Sequence, residues 1–219
     1  MHREKTQGII LHSIPYLNEA KIQKVFTLDL GMISILVKGK KKLSSLHPMA
    51  KVELLIKRSE HSDLYQVEDF SFLSSFEKLR ESLELLQAFT KMGKALLQTQ
   101  REEKKPELYL LFLQFLQRLE KGAPPTNLIA SFYGKLLYKE GLLHLSETCL
   151  TCGGKAASIS QGVSLCLKHS SSPFLQEDFE ALKTLVFSKK LKEIENTSFS
   201  QSFFSFMESF LEESINLHL

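Results

Sequence analysis

All three cysteines of the 219-residue chain fall in one stretch, CLTCGGKAASISQGVSLCLKH at 149–169, and a histidine closes it. The spacing is C-x2-C, thirteen residues, then C-x2-H. Each C-x2 pair can turn as a knuckle that aims two side chains at one ion, and Gly153 and Gly154 let the following amides turn toward the thiolates. Zn2+ takes four N or S ligands in a tetrahedron, and Cys149, Cys152, Cys166 and His169 supply a Cys3His set. One Zn2+ ion is the expected cofactor. His144 is a second candidate for the fourth position, at a less regular spacing, and three buried free thiols are the plainer alternative. Four protein ligands leave no open position for water or substrate, so the ion reads as structural. A zinc deaminase would carry proline before its first cysteine pair, and Thr148 stands there instead.

Other chemistry is sparse. The chain contains no G-x-x-x-x-G-K-[ST], no G-x-S-x-G, no H-E-x-x-H and no G-x-G-x-x-G. Its acidic pairs, at 102–103 and 212–213, suit a solvated helix face better than a two-metal nuclease. The expectation is a protein that is not an enzyme and takes no small-molecule substrate.

A second constellation lies in VKGKKKLSSLHP at 37–48, where Lys38, Lys40, Lys41 and Lys42 crowd into five positions around Gly39. Ser44 and Ser45 add neutral donors for phosphate oxygens. The net charge of the chain is only +3, but residues 1–60 hold 11 Lys or Arg against 5 Asp or Glu. A one-sided excess of this kind is what a polyanion-binding surface needs, although a solvated charged loop is the ordinary alternative. KKLK at 189–192 is a weaker basic patch that reads as a solvated helix end.

The elements that must position these residues differ between the two parts of the chain. Five short strand patterns occupy 8–12, 21–28, 32–37, 51–57 and 64–73, with DLG at 29–31 as a tight turn. Five strands in this space suggest a small OB-fold-like barrel, with an SH3-like barrel as the alternative. Tyr16, Phe26 and Tyr65 could stack on bases, though at period-two positions each also suits the barrel core. From residue 77 the period becomes helical. Leu79, Leu83, Leu86, Thr90, Gly93 and Leu97 predict a buried face over 77–98, and 107–120 is apolar nearly all round, as at the centre of a helical core. Thr126 or Asn127 is a candidate cap for a helix ending near Gly141, and two more helices are predicted over 176–187 and 200–217. The fold class is therefore α+β and multi-domain. A nucleic-acid-binding domain over 1–76 precedes a helical domain over 77–219, with the zinc loop inserted at about 148–170.

Hydrophobic content of 43% with 24% charged residues is ordinary for a chain that buries a core. The most apolar run, LYLLFLQFL at 108–116, is far short of the roughly 20 residues that span a bilayer. With no apolar leader and three cysteines that cannot all pair, a reducing, cytoplasmic compartment without membrane contact is expected.

Taken in order, these segments resemble the bacterial RecO family of DNA repair proteins. The likeness runs through GIILH at 8–12, FTLDLGMISILVKGKKKLSS at 26–45, FEKLRESLELLQAF at 76–89, GLLHLSETCLTCG at 141–153 and FFSFMESFLEESINL at 203–217. It implies an N-terminal OB-fold, a helical domain with a zinc loop and a non-enzymatic recombination mediator. Such proteins bind single- and double-stranded DNA, anneal complementary strands, contact the C-terminal tail of the single-strand-binding protein SSB, and with RecR help load RecA. The resemblance further implies a cytoplasmic protein that joins the nucleoid when on DNA. His169 stands where the family's zinc-bearing members usually have a fourth cysteine. Annealing needs phosphate charge to be neutralised, for which Lys38, Lys40, Lys41, Lys42 and Ser44 are the candidates, with Arg3 and Lys5 as neighbours. An RNA-binding OB-fold protein with a zinc-stapled interaction domain is the competing reading.

Overall fold

The computed structural model describes residues 3–17, 20–39, 45–58, 62–170 and 176–218. The chain forms two compact units, Met1–Gly122 and Ala123–Leu219. The switch from strands to helices falls at residue 76, whereas the division between units falls 46 residues later, after Gly122.

In the first unit, five strands close a barrel in the order β1-β2-β3-β5-β4: β1 Arg3–Tyr16, β2 Ala20–Thr27, β3 Gly31–Lys38, β4 Ala50–Arg58 and β5 Leu64–Ser75. This is the OB-fold-like architecture, with β3 and β5 parallel and every other pairing antiparallel. Closure depends on β1, which pairs with β4 through residues 3–9 and with β2 through residues 8–16. A bulge between Ile10 and His12 lets it bend. Gly8 belongs to both pairings, and a Cβ there would meet Val25 Cγ1 at 2.5 Å. The barrel is filled by branched side chains of alternate positions, among them Ile10, Val25, Ile33, Ile35, Val52 and Leu54.

Two helices cover the barrel: α1 Leu83–Thr99, after a 3-10 turn at Glu77–Arg80, and α2 Pro106–Glu120. Phe26 points outward from β2 and meets the rings of Tyr109 and Phe112 on α2, with centroids 5.9 and 6.5 Å away. Burying a side chain of this size stabilises by about 1.5–3 kcal/mol. Residues 107–120 therefore cover the barrel and are not the centre of a separate helical core. The burial of α1 also departs from the predicted face. Leu83 and Leu86 are exposed and Thr90 faces solvent, while Ala88, Phe89, Met92, Gly93, Ala95 and Leu96 are buried. The leucine stripe and the Phe89 stripe are both helical in period, and the ring contact of Phe89 with Phe112 decides between them.

The loop from α1 to α2 is fastened to the β2–β3 turn. Gly31 has φ +73°, and a Cβ there would meet the carbonyl oxygens of Arg101 (at 2.6 Å) and Glu103. The amide of Met32 donates to the Arg101 carbonyl at 2.8 Å. Glu102 accepts hydrogen bonds from the Tyr65 hydroxyl at 2.5 Å and from Arg58 Nη1 at 2.8 Å.

The second unit packs around α3 Pro125–Lys139, with α4 Gln176–Phe187, α5 Leu191–Glu195 and α6 Gln201–His218. It is α3 that is buried nearly all round, from Leu128 through Leu137. Its few polar residues follow a spacing of four. Asn127 Nδ2 donates to the carbonyls of Ile194, Glu195 and Thr197, Ser131 Oγ to Leu185, and Lys135 Nζ to Val186 and Ser188. These carbonyls lie at the C-terminal ends of α4 and α5, where a helix runs out of its own amide donors. Asn127 thus caps the end of α5, and α3 itself begins at Pro125 with no side-chain cap. The short α5, absent from the sequence reading, occupies the KKLK region.

Two outcomes follow. Gly31→Ala is expected to lower unfolding free energy by about 2–3 kcal/mol in urea titration, since an alanine must hold a left-handed backbone against two carbonyls. Burial, then the hydrogen bond the phenol donates to Glu102, pushes Tyr65 up to about 12, and burial, then the Asp29 charge, does the same for Tyr109. A phenol that ionises later in the folded state gives stability that is full below pH of about 10 and lost as pH rises toward 12. Urea midpoints should therefore fall over that interval, and less steeply in Tyr65→Phe.

Candidate metal centre and nucleic-acid face

The metal loop has little apolar core of its own, so its shape rests on backbone pairing. Between the two knuckles lies a hairpin of β6 Ser158–Ser160 and β7 Val163–Leu165. Gln161 and Gly162 both have positive φ, as a two-residue primed turn requires. The hairpin went unread in the sequence because Gln-Gly is a weaker signal than Asn-Gly or Asp-Gly. The first knuckle closes through Gly153 N to the Cys149 carbonyl at 2.9 Å and Cys149 N to the Gly154 carbonyl at 2.6 Å. The second closes through the amides of His169 and Ser170, both to the Cys166 carbonyl at 3.0 Å.

These turns bring one ligand atom each from Cys149, Cys152, Cys166 and His169 within 4.8 Å of one another. The donors fit a tetrahedral ion. Metal–ligand lengths typical of zinc imply edges of about 3.8 Å between sulfurs and about 3.5 Å between sulfur and nitrogen. Cys152 Sγ and Cys166 Sγ stand 3.8 Å apart, and His169 Nδ1 lies 3.6 Å from Cys149 Sγ and 3.4 Å from Cys166 Sγ. The loop can therefore hold a metal ion, with the histidine approaching through Nδ1. His144 takes no part in this cluster; its amide donates to the Gly162 carbonyl at 2.7 Å and so supports the hairpin.

The cluster favours thiolate. Burial pushes the Cys149 thiol up, but the amides of Cys166 and Cys152, the His169 ring and the Thr151 amide outweigh it and hold the group at about 5. Cys152 moves the other way. The Gly154 amide lowers it, yet hydrogen bonding to the Cys149 and Cys166 sulfurs, together with desolvation, leaves it raised. One sulfur thus carries charge readily while its neighbour resists, and a divalent cation relieves that repulsion.

On the barrel, directly opposed residues of antiparallel strands point to one side. Three such rows face outward across β1, β2 and β3: Tyr16–Ala20–Lys38, Ile14–Ile22–Leu36 and His12–Lys24–Ser34. They alternate with the inward set that includes Val25, Ile33 and Ile35. Ile14 and Tyr16 are 38% and 40% exposed, and Lys38 is exposed at the end of β3 with no acidic partner among the described residues. This patch of apolar side chains edged by His12, Lys24 and Lys38 was legible only once the strand register was known. Phe26 and Tyr65 are buried, which removes them as stacking residues and leaves Tyr16.

Arg3 and Lys5 do not join this patch. Arg3 pairs with Glu68 at 2.7 Å and Lys5 with Glu53 at 2.9 Å, at the far end of β1 from Tyr16 and Lys38. Lys40, Lys41, Lys42 and Ser44 lie outside the described residues.

Fold and site together define a protein class: an OB-fold barrel with covering helices, joined to a helical unit that bears a Cys3His metal loop. A family model described as "Recombination protein O N terminal" matches residues 1–76. The chain is 32% identical to the DNA repair protein RecO of Chlamydia muridarum over 96% of this chain and 97% of that one. Identity to the DNA repair protein RecO of Chlamydia trachomatis serovar D is also 32%, over 85% of this chain and 82% of the relative. For the DNA repair protein RecO of Caldicellulosiruptor bescii it is 24%, over 90% of this chain and 86% of the relative. The chain belongs to the RecO family of DNA repair proteins. No helix among the described residues is long and apolar enough to cross a membrane.

Titration with Co2+ is expected to give the intense visible bands of tetrahedral thiolate coordination at one ion per chain. Cys149→Ser should abolish them and lower the unfolding free energy by a few kcal/mol, while His169→Cys should keep them.

Proposed function

We propose that this protein is a recombination mediator that binds single- and double-stranded DNA and anneals complementary strands in the cytoplasm. With RecR it helps load RecA onto DNA coated by SSB, whose C-terminal tail is a further partner. It acts without catalysing a covalent step. Residues 1–76 are the nucleic-acid-binding domain, and one Zn2+ ion held by Cys149, Cys152, Cys166 and His169 is structural.

The observation that carries this reading is the outward face of β1, β2 and β3, set in a chain of a DNA repair family. Apolar side chains at Ile14, Tyr16, Ile22 and Leu36 suit the faces of unstacked bases, and Lys24 and Lys38 suit the phosphates beside them. Strands that approach one another repel through their phosphates, and neutralising them with lysine lowers the barrier to pairing. Lys40, Lys41 and Lys42, which follow Lys38 in sequence, extend that charge, with Ser44 as a neutral donor. Arg3 and Lys5 already carry acidic partners, so their share in DNA binding is the smaller one.

The test is annealing of complementary labelled oligonucleotides coated with SSB, across a salt series. The wild type is expected to anneal them, and the Lys40→Ala, Lys41→Ala, Lys42→Ala variant to be slower, with a salt slope of single-strand binding shallower by about 2. Tyr16→Ala is expected to weaken single-strand binding several-fold at unchanged slope. Absence of annealing above background in the wild type overturns the reading, and a preference for structured RNA would replace it with an RNA-binding function.

A further inference from the structure

The two knuckles of the metal loop repeat one pattern, Cys149-Leu150-Thr151-Cys152 and Cys166-Leu167-Lys168-His169. In each, the residue after the first ligand is a leucine that faces solvent: Leu150 is 74% exposed and Leu167 62%. A single exposed leucine on a protein surface is ordinary. Here two occupy equivalent positions in knuckles whose ligand atoms all lie within 4.8 Å of one another. The backbone beneath Leu150 is fixed, its amide donating to the Ser164 carbonyl at 3.0 Å.

The surroundings are open, and the loop carries no acidic side chain of its own. Thr151, Lys155 and Lys168 are exposed, and a Cβ built on Gly153 would meet nothing within 4 Å. No Asp or Glu occurs between 149 and 169. Glu147, the acid just outside the loop, is held by Lys183 at 3.0 Å.

We infer that this knuckle face is a second contact for single-stranded nucleic acid, in which Leu150 and Leu167 pack on unpaired bases and Lys155 and Lys168 take the flanking phosphates. The inference rests on the DNA-binding reading above and adds a site to it. An apolar side chain on a protruding turn reaches a base face only where the base is unstacked, so the leucines distinguish single strands from duplex. The lysines attract either form through the phosphates. An acidic peptide would be drawn by the same charge, but peptide recognition relies on a groove or a sheet edge to bury its apolar side chains, whereas Leu150 and Leu167 stand exposed on tight turns.

The test uses the full chain loaded with zinc and measures anisotropy of a labelled oligothymidylate and of a labelled duplex. Leu150→Ser combined with Leu167→Ser should weaken single-strand binding about tenfold. It should leave duplex affinity and zinc content at wild-type values. Leu150→Phe with Leu167→Phe should strengthen single-strand binding, which decides the matter even if the serine variant loses its ion. Lys155→Ala with Lys168→Ala should weaken both forms and reduce the single-strand salt slope by about 1.4. The inference is overturned by unchanged single-strand binding in the leucine variants, or by an equal loss on duplex. It is equally overturned if the serine variant keeps its DNA affinity but loses a labelled peptide of alternating Asp and Phe, which would make the face a peptide site. If the wild type binds neither DNA, the broader DNA-binding reading falls too, whereas failure of the leucine variants alone removes only this second contact.

Discussion

The first unit depends on one strand hydrogen-bonding to two neighbours at once. β1 is 14 residues long, gives its first half to β4 and its second half to β2, and must turn between them to close the barrel. The bulge after Ile10 supplies the bend, and Gly8 supplies the clearance, because any side chain there would strike Val25. Closure then fixes the register of β2 and β3, and with it which residues face out. At one end of the outer face Phe26 is sealed by α2; at the other, Tyr16, Ile14 and Lys38 remain in solvent. The candidate DNA face is thus what the covering helices leave bare.

The second unit solves a different problem. Helices that end inside a packed core strand their last carbonyls, and α3 answers with Asn127, Ser131 and Lys135 at a spacing of four on an otherwise apolar helix. Each donor reaches a helix end more than 50 residues away in sequence, so the stripe fastens α4 and α5 by polar contacts that apolar packing alone could not aim. The metal loop has no such support. Its strands are three residues long, and only a few apolar side chains, Ile159 among them, are buried. Convergence of three sulfurs and a ring nitrogen is affordable only where a cation balances the thiolate charge, and that cation would replace the core the loop lacks. It would also hold the knuckle tips rigid, which is what a surface needs if it presents two leucines to water.

Local rules made much of this legible. The Cys3His cluster was readable because four residues within one short loop need only two tight turns and a hairpin to meet, and spacing encodes that directly. The strands were readable from period-two alternation, and the turn at Gly31 from its composition. The helical faces were less so. Leu83, Leu86 and Thr90 form as good a stripe as Phe89, Met92 and Leu96, and only the rings of α2 choose between them. The same holds for α2 and α3. Both read as helices, but one covers a barrel and the other is a helical core, a difference set by partners distant in sequence.

By itself, then, the sequence determined the kinds of element, the Cys3His cluster and the basic character of the first 60 residues, because each depends on neighbours along the chain. Tertiary structure decided which of those residues act together. Arg3 and Lys5 are drawn to Glu68 and Glu53 by strand pairing, Lys38 is left open, and Tyr16, Ile14, Ile22 and Leu36 become one surface. Strand register is a non-local quantity: a shift of one residue would turn every side chain of a strand to the opposite face, and nothing within a single strand fixes it.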